Sequence, residues 1–221
     1  MKTFVKLIII LVLLISGRAI GQPIKGAAMV GFNLCKVAGD EVNGFWQFYR
    51  FGANLGAAAI IPFKKNWDVT LEVDYTQKGA FWGGGVQDDN YPWRYELRLD
   101  YVEVPILVHY NDRDIITAGL GFAWGRLVRS TEIEDNGNRP AYQDTVPFSN
   151  DDFSIMGDVI FRLYKRMHLN IRVTHSLVPI REREFVNIAT GSTWQNKQYN
   201  FLISLRLVYI FNEKLENQRI N

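Results

Sequence analysis

The sequence contains little of what marks several common classes of protein. Cys35 is the single cysteine, so no intramolecular disulfide can form. The formal net charge is only +2, which gives no strong field for nucleic acid, and we expect no nucleic-acid partner. The three histidines lack the spacing of zinc ligands, and we expect neither a metal nor a cofactor. These absences leave structural, binding and transport roles as the main alternatives.

Long apolar runs are also missing beyond the N-terminus. Residues 2–6 include two lysines, and an unbroken apolar run follows from Leu7 to Ile15. The segment from Ser16 to Gly21 then ends in small residues, so residues 1–21 have the layout of a secretory signal peptide that is cleaved before Gln22. A membrane helix needs about 20 apolar residues. If the mature chain of residues 22–221 enters a membrane, it must therefore do so as a closed barrel.

The sequence does contain segments in which apolar and polar residues alternate with a period of two, which is the period of a β-strand. In the segment LEVDYT, for example, apolar and polar residues alternate strictly from Leu71 to Thr76. No segment carries a sustained helical stripe. Eight segments alternate in this way, and each reaches the roughly 9–11 residues that a tilted strand needs to cross a bilayer. They are Gly26–Cys35, Tyr49–Ile61, Trp67–Lys78, Arg94–Tyr110, Ile115–Arg129, Phe153–Tyr164, Met167–Leu177 and Gln198–Phe211.

The connections between these segments alternate between short and long. This layout is typical of an outer-membrane barrel, with short periplasmic turns and long outer loops. The sequence therefore predicts one all-β domain: an eight-stranded antiparallel up-and-down transmembrane β-barrel with four long outer loops. The long connections are Val37–Phe48, Gly79–Trp93, Ser130–Asp152 and Val178–Lys197.

The polar faces of these strands predict how the lumen is filled. If the apolar faces meet lipid, acidic and basic side chains point inward in equal number. An eight-stranded barrel is just wide enough for its own side chains to fill it, and buried charges need partners. We therefore predict a lumen closed by an ion-pair network. Its members are Glu72, Asp74, Lys78, Glu103, Asp158, Arg162, Arg172 and Arg206.

The fourth segment does not keep one apolar face throughout. Val102 and the next alternate residues place apolar side chains outward and Glu103 inward, whereas Leu97 and Leu99 fall in the opposite phase. This change predicts a β-bulge near Asp100 to Val102.

Two strands also carry a resemblance to a known family. The string LEVDYTQKG, Leu71 to Gly79, resembles the "E-x-x-Y-x-Q-K-G" strand of PorT-like outer-membrane barrels of Bacteroidetes. The string LDYVEVPIL, Leu99 to Leu107, resembles their "L-x-Y-L-E-I-P-L-L" strand, and AGLG, from Ala118 to Gly121, is similar to the strand that follows. The resemblance implies an outer-membrane location and an eight-stranded barrel, but no defined activity.

A barrel of this kind needs outer-membrane lipid and the outer-membrane assembly machinery as partners. Three functions remain open: a non-enzymatic structural or binding barrel that acts through its outer loops, a narrow porin-like channel, and a soluble periplasmic lipocalin-like binder. The third requires an apolar interior and a polar exterior. Two interpretations are open for the aromatic residues of the second long connection: contact with an unknown protein or glycan, or packing onto the rim of the barrel. These residues are Phe81, Trp82, Tyr91 and Trp93.

Catalysis finds little support in the sequence. His175 and Ser176 are adjacent, and adjacent strand residues point to opposite faces, so the two cannot share one site. The acidic segments Asp88–Asn90 and Glu132–Asp135 offer oxygen ligands but match no defined calcium loop, so solvated loop charge is the expectation. We therefore predict that the protein is not an enzyme.

Overall fold

A computed structural model of the chain describes residues 24–39, 50–83, 94–112, 115–135, 147–186 and 193–211. These residues form nine β-strands. The strands are β1 (Lys25–Ala38), β2 (Arg50–Lys64), β3 (Trp67–Gly83), β4 (Arg94–Asp112), β5 (Ile116–Asp135), β6 (Asp151–Tyr164), β7 (Met167–Ser176), β8 (Arg181–Val186) and β9 (Thr193–Ile210). Among the described residues, no helix is long and apolar enough to cross a membrane.

Eight of the strands form a closed antiparallel ring. Each of β1 to β7 pairs with its successor, β7 pairs with β9, and β9 pairs with β1 from Ala27–Ile210 to Ala38–Tyr199. The ring confirms the predicted up-and-down barrel of eight strands. The predicted boundaries near the short turns lie within three residues of the observed ones. At the opposite end β3, β5 and β9 continue for several residues beyond the prediction.

Strand β8 lies outside the ring and is a correction to the sequence prediction. The sequence predicted one long connection over Val178–Lys197, but Arg181–Val186 pairs with the first residues of β9. The β8–β9 hairpin extends beyond the ends of β6 and β7, on the side of the barrel opposite the short turns.

The outward face of the barrel carries an apolar band. On β3 the band runs from Trp67 to Tyr75, and on β9 from Tyr209 to Phe201. A rise of about 3.3 Å per residue makes each span about 26 Å along the strand. Aromatic side chains border the band at both ends, as in membrane barrels. The girdle near the short turns comprises Phe63, Trp67, Tyr110, Tyr164, Tyr209 and Phe211, and the outer girdle comprises Phe51, Tyr75, Trp124, Phe153 and Phe201.

The predicted irregularity of strand register is present, but on the neighbouring strand. Tyr101 pairs with Leu127 and Asp100 pairs with Arg129, so Val128 of β5 is the extra residue. Strand β4 itself keeps one phase, and Leu97 and Leu99 are fully buried inside the barrel. Leu97 and Leu99 lie beyond the outer girdle. Water rather than lipid surrounds this part of the barrel, so its apolar residues point inward.

Candidate functional site

The lumen holds a central cluster of charged side chains. Arg172 of β7 lies between two carboxylates: its guanidinium donates to both oxygens of Glu72 at 2.7 and 2.8 Å, and to Asp158 at 2.7 and 3.1 Å. Arg206 of β9 donates to Glu72 and Asp74, both at 3.1 Å. All five residues are at most 5% exposed. Bidentate pairs of this kind are the strongest that proteins form.

Further polar side chains complete the central cluster. Asn170 donates to Asp158 at 3.0 Å and accepts from Arg206 Nε at 2.9 Å. The His109 Nε2–H donates to Asp158 Oδ1 at 3.0 Å, and the Nδ1 atom of His109 shares a hydrogen bond of 3.0 Å with the Thr70 hydroxyl. Most of the donor and acceptor atoms around the arginines are therefore satisfied, which is the condition for tolerating buried charge.

A second cluster lies nearer the outer end of the lumen. The Lys78 ammonium lies between two carboxylates, 2.6 Å from Glu103 Oε1 and 2.8 Å from Asp152 Oδ2. Asn200 also donates to Asp152, at 3.0 Å. The ammonium fills the position between the two acids, and no group of potential metal ligands occurs in the part of the chain that the structure describes.

The structure thus divides the predicted set of eight residues. Five of them form the central cluster, and Lys78 and Glu103 belong to the second. Arg162 lines a cavity of about 60 Å³ at the periplasmic mouth, together with Asp68, His168 and the His109 side chain that also contacts the central cluster. The eight predicted residues therefore lie at three heights of the lumen: the central cluster, the second cluster and the cavity at the periplasmic mouth.

Two members of these clusters escaped the sequence analysis. Asp152 ends the predicted connection Ser130–Asp152, although it continues the inward phase of Ser154 and Asp158. His109 lacks the spacing of a metal ligand, but it shares the inward phase of Glu103 and Leu107. In both cases the alternation pattern contained the signal that was missed.

Apolar layers fill the lumen on either side of the charges. Ala27, Met29, Val208 and Ile210 form a layer near the periplasmic end. At the outer end a larger layer, the outer cap, covers the second cluster. It comprises Val37, Ala80, Leu97, Leu99, Tyr101 and Ile180, with Leu127 and Phe148 packed against it.

The segment after β7 holds the outer cap in place. The Ile180 amide donates to the Gln198 carbonyl at 2.8 Å, and the Ile180 carbonyl accepts from the Ser149 amide at 2.7 Å. Arg181 stacks over the Phe148 ring at 4.1 Å and donates to both oxygens of Glu132 at 2.9 Å. Glu132 is therefore an ion-pair partner and not only a solvated loop charge.

Gly79 lies where β3 rises past the second cluster. Its φ is +135°, and a Cβ atom there would meet the Leu97 carbonyl oxygen. We predict that Gly79→Ala destabilises the barrel by about 1–3 kcal/mol because an L-residue is strained in this conformation. Gly26→Ala is the control, since its Cβ would lie at an ordinary 3.5 Å from the Phe211 ring. Urea unfolding of both variants in lipid vesicles tests this, and equal midpoints for the two variants would contradict it.

The remaining predicted contact residues are only partly described. Phe81 and Trp82 lie on β3 rather than on a loop, where they pair with Glu96 and Tyr95, and the Phe81 side chain is half-buried. Tyr91 and Trp93 lie outside the described residues, as do Asp88–Asn90. His175 faces outward between Tyr199 and Phe201, and Ser176 faces inward, so the two do not meet.

The ring of strands, the outward apolar band, the girdles and the charged lumen define a small transmembrane β-barrel of the outer-membrane type. The soluble lipocalin-like alternative required the opposite arrangement, and the charged interior excludes it. A scan against models of protein families found no match, and a search of curated proteins found none either.

Solved structures of outer-membrane proteins share the fold. NspA, the neisserial surface protein A, aligns with a TM-score of 0.50 at 10% identity over 84% of this chain and 97% of its own. Ail of Yersinia pestis, bound to the heparin analogue sucrose octasulfate, has a TM-score of 0.47 at 11% identity over 86% and 100%. OprG of Pseudomonas aeruginosa has a TM-score of 0.42 at 15% identity over 86% and 95%.

These similarities concern the fold alone. Together with the apolar band and its two girdles, the fold locates this chain in the cell outer membrane, in contact with lipid.

Proposed function

We propose that this protein is a non-enzymatic outer-membrane barrel with a closed lumen, which acts through its outer surface rather than as a channel. The observation that carries the proposal is the filling of the lumen at successive heights. An apolar layer, the central cluster, the second cluster and the outer cap follow one another along the barrel. The bidentate pairs fix their side chains to opposite walls, because Glu72 lies on β3 and Arg172 on β7.

The proposal includes two features that rest on the sequence. Residues 1–21 are the signal peptide that directs the chain to export. The second is a relation to the PorT-like barrels, which rests on the shared strand motif; within that motif Glu72 and Lys78 supply the two charge clusters, and Gly79 permits the close approach of β4. A role in binding at the outer loops fits a barrel whose interior is occupied.

Conductance separates the closed barrel from the porin-like alternative. We expect the folded protein to give no stepwise current after insertion into a planar bilayer in concentrated KCl, because the Arg172 and Arg206 ion pairs cross the lumen. A known porin added to the same bilayer afterwards verifies that steps are detectable. Insertion is checked by protease protection of vesicles prepared in parallel. Regular current steps from the inserted protein alone would refute the closed lumen and favour the channel.

A further inference from the structure

An outward-facing group of basic side chains lies just beyond the outer girdle on β4 and β5. Arg126 pairs across the strands with Val102, and Arg129 pairs with Asp100, so both arginines share the outward face with Arg98, two residues further along β4. We call Arg98, Arg126 and Arg129 the arginine patch. Trp124 of the outer girdle is the outward residue directly below Arg126, about 7 Å along the strand.

The β-bulge at Val128 builds this patch. Without the extra residue, the alternation on β5 would turn Arg129 into the lumen, because Leu127 already faces inward and packs against the outer cap. With it, Arg129 is exposed on the same face as Arg126 and beside Arg98. Bulges of this kind commonly re-aim a side chain.

The two carboxylates near the patch hold its arginines in place without using all of their donors. Arg98 Nε donates to Asp100 Oδ1 at 3.0 Å, and Asp100 is only 3% exposed. Arg126 Nη1 lies 3.1 Å from both oxygens of Asp151, which also accepts from the Trp124 indole at 3.2 Å. A guanidinium has five N–H donors, so each arginine retains several. Within the described ranges, no hydrogen bond or ion pair holds the guanidinium of Arg129.

An apolar groove begins directly below the patch. Its volume is about 860 Å³, and it runs down the lipid-facing side of β4, β5 and β6. The lining is almost wholly apolar, with Val104, Ile106, Leu120, Phe122, Trp124 and Phe153 among its residues. Cationic donors therefore lie at the headgroup end of a groove whose remainder lies at the depth of acyl chains.

We propose that this face binds a phosphorylated glycolipid of the outer leaflet, with a phosphate on the arginine patch and an acyl chain in the groove. Guanidinium groups match phosphate oxygens in a bidentate way and are less strongly hydrated than an ammonium group. The proposal requires one ligand that is anionic at one end and apolar at the other. The lipid-binding proposal rests on the location of the barrel in the outer membrane and not on the closed lumen. A failure of the lipid-binding proposal would therefore leave the conductance result unaffected.

Lipid binding by the purified, folded full-length protein in detergent tests the proposal. The probe is bisphosphorylated lipid A, with enzymatically dephosphorylated lipid A as the comparison, and native mass spectrometry measures the bound fraction. We expect at least tenfold tighter binding of the phosphorylated lipid. Equal binding of the two lipids would overturn the proposal.

Matched variants test the location of the site. Arg98→Gln/Arg126→Gln/Arg129→Gln should abolish the preference for phosphorylated lipid A. Lys64→Gln/Lys65→Gln/Lys165→Gln removes the same charge from the exposed periplasmic turns and should leave the preference intact. If both triple variants lost the preference for phosphorylated lipid A equally, the lipid would be held by non-specific charge attraction, and the assignment of the site to the arginine patch would be overturned.

Two further measurements separate a loss of lipid binding from a loss of stability and from simple anion binding. Arg98 covers the buried Asp100, so the triple variant can lose stability. Arg129→Gln alone touches no described partner and should lower the affinity for lipid A several-fold while retaining the heat-dependent gel shift of a folded barrel. If the affinity of this variant for lipid A is unchanged, Arg129 is not part of the site. Inorganic phosphate in large excess should not displace the lipid, and full displacement would show a simple anion site instead.

Discussion

Replacement of Arg172 by methionine is expected to destabilise the barrel by about 3–5 kcal/mol, which is the range for removing one partner of a buried ion pair. Arg172 is 3% exposed and donates to both Glu72 and Asp158, so the substitution leaves two carboxylates in the lumen without their main cation. Urea unfolding in lipid vesicles, followed by tryptophan fluorescence, measures the change as a lower midpoint at unchanged slope.

Arg126→Met provides the matched control. The side chains of Arg126 and Asp151 are 52% and 43% exposed, although their ion pair of 3.1 Å is as short as those of the buried Arg206. An exposed pair contributes only about 0–1 kcal/mol. The double variant Arg172→Met/Glu72→Gln should recover part of the loss, because it removes a negative charge together with the positive one. A small and equal effect of Arg172→Met and Arg126→Met would contradict the assigned role of the central cluster.

Much of the barrel could be predicted from the sequence because lipid imposes a simple rule. Where a strand crosses the bilayer, its outward residues must be apolar, so alternation alone identified the lipid face of β3, β5, β7 and β9. The inward phase also placed Glu72, Asp74 and Arg172 in the lumen. The pattern could not identify partners, since Glu72 and Arg172 are 100 residues apart and meet only when the ring closes.

The errors occur where the same rule no longer applies. Beyond the outer girdle, water surrounds the barrel, so the apolar residues Leu97 and Leu99 point inward as in a soluble protein. Strand β8 was missed because the segment Arg181–Val186 is mostly charged and has no apolar alternation. Asp152 was missed because β6 begins before its first apolar residue.

Leu120→Arg is the second substitution with a large expected effect. Leu120 is 72% exposed and lies on the outward face of β5, midway between Ile116 and the girdle residue Trp124. On a soluble protein such an exposed position would accept arginine at little cost. At the midplane of a bilayer the same change costs about 2–4 kcal/mol. We therefore expect a clear loss of stability in vesicles, measured by the same urea unfolding.

Val128→Arg distinguishes the lipid environment from a general sensitivity of β5. Val128 is 64% exposed on the same strand, but it lies beyond the outer girdle, where an added charge costs only about 0–1 kcal/mol. The difference between the two variants in unfolding free energy therefore reports the depth of the residue in the membrane rather than its burial in the protein. If Leu120→Arg were as stable as Val128→Arg in vesicles, Leu120 would not face the hydrocarbon core, and the assignment of the outward apolar band to lipid would have to be abandoned.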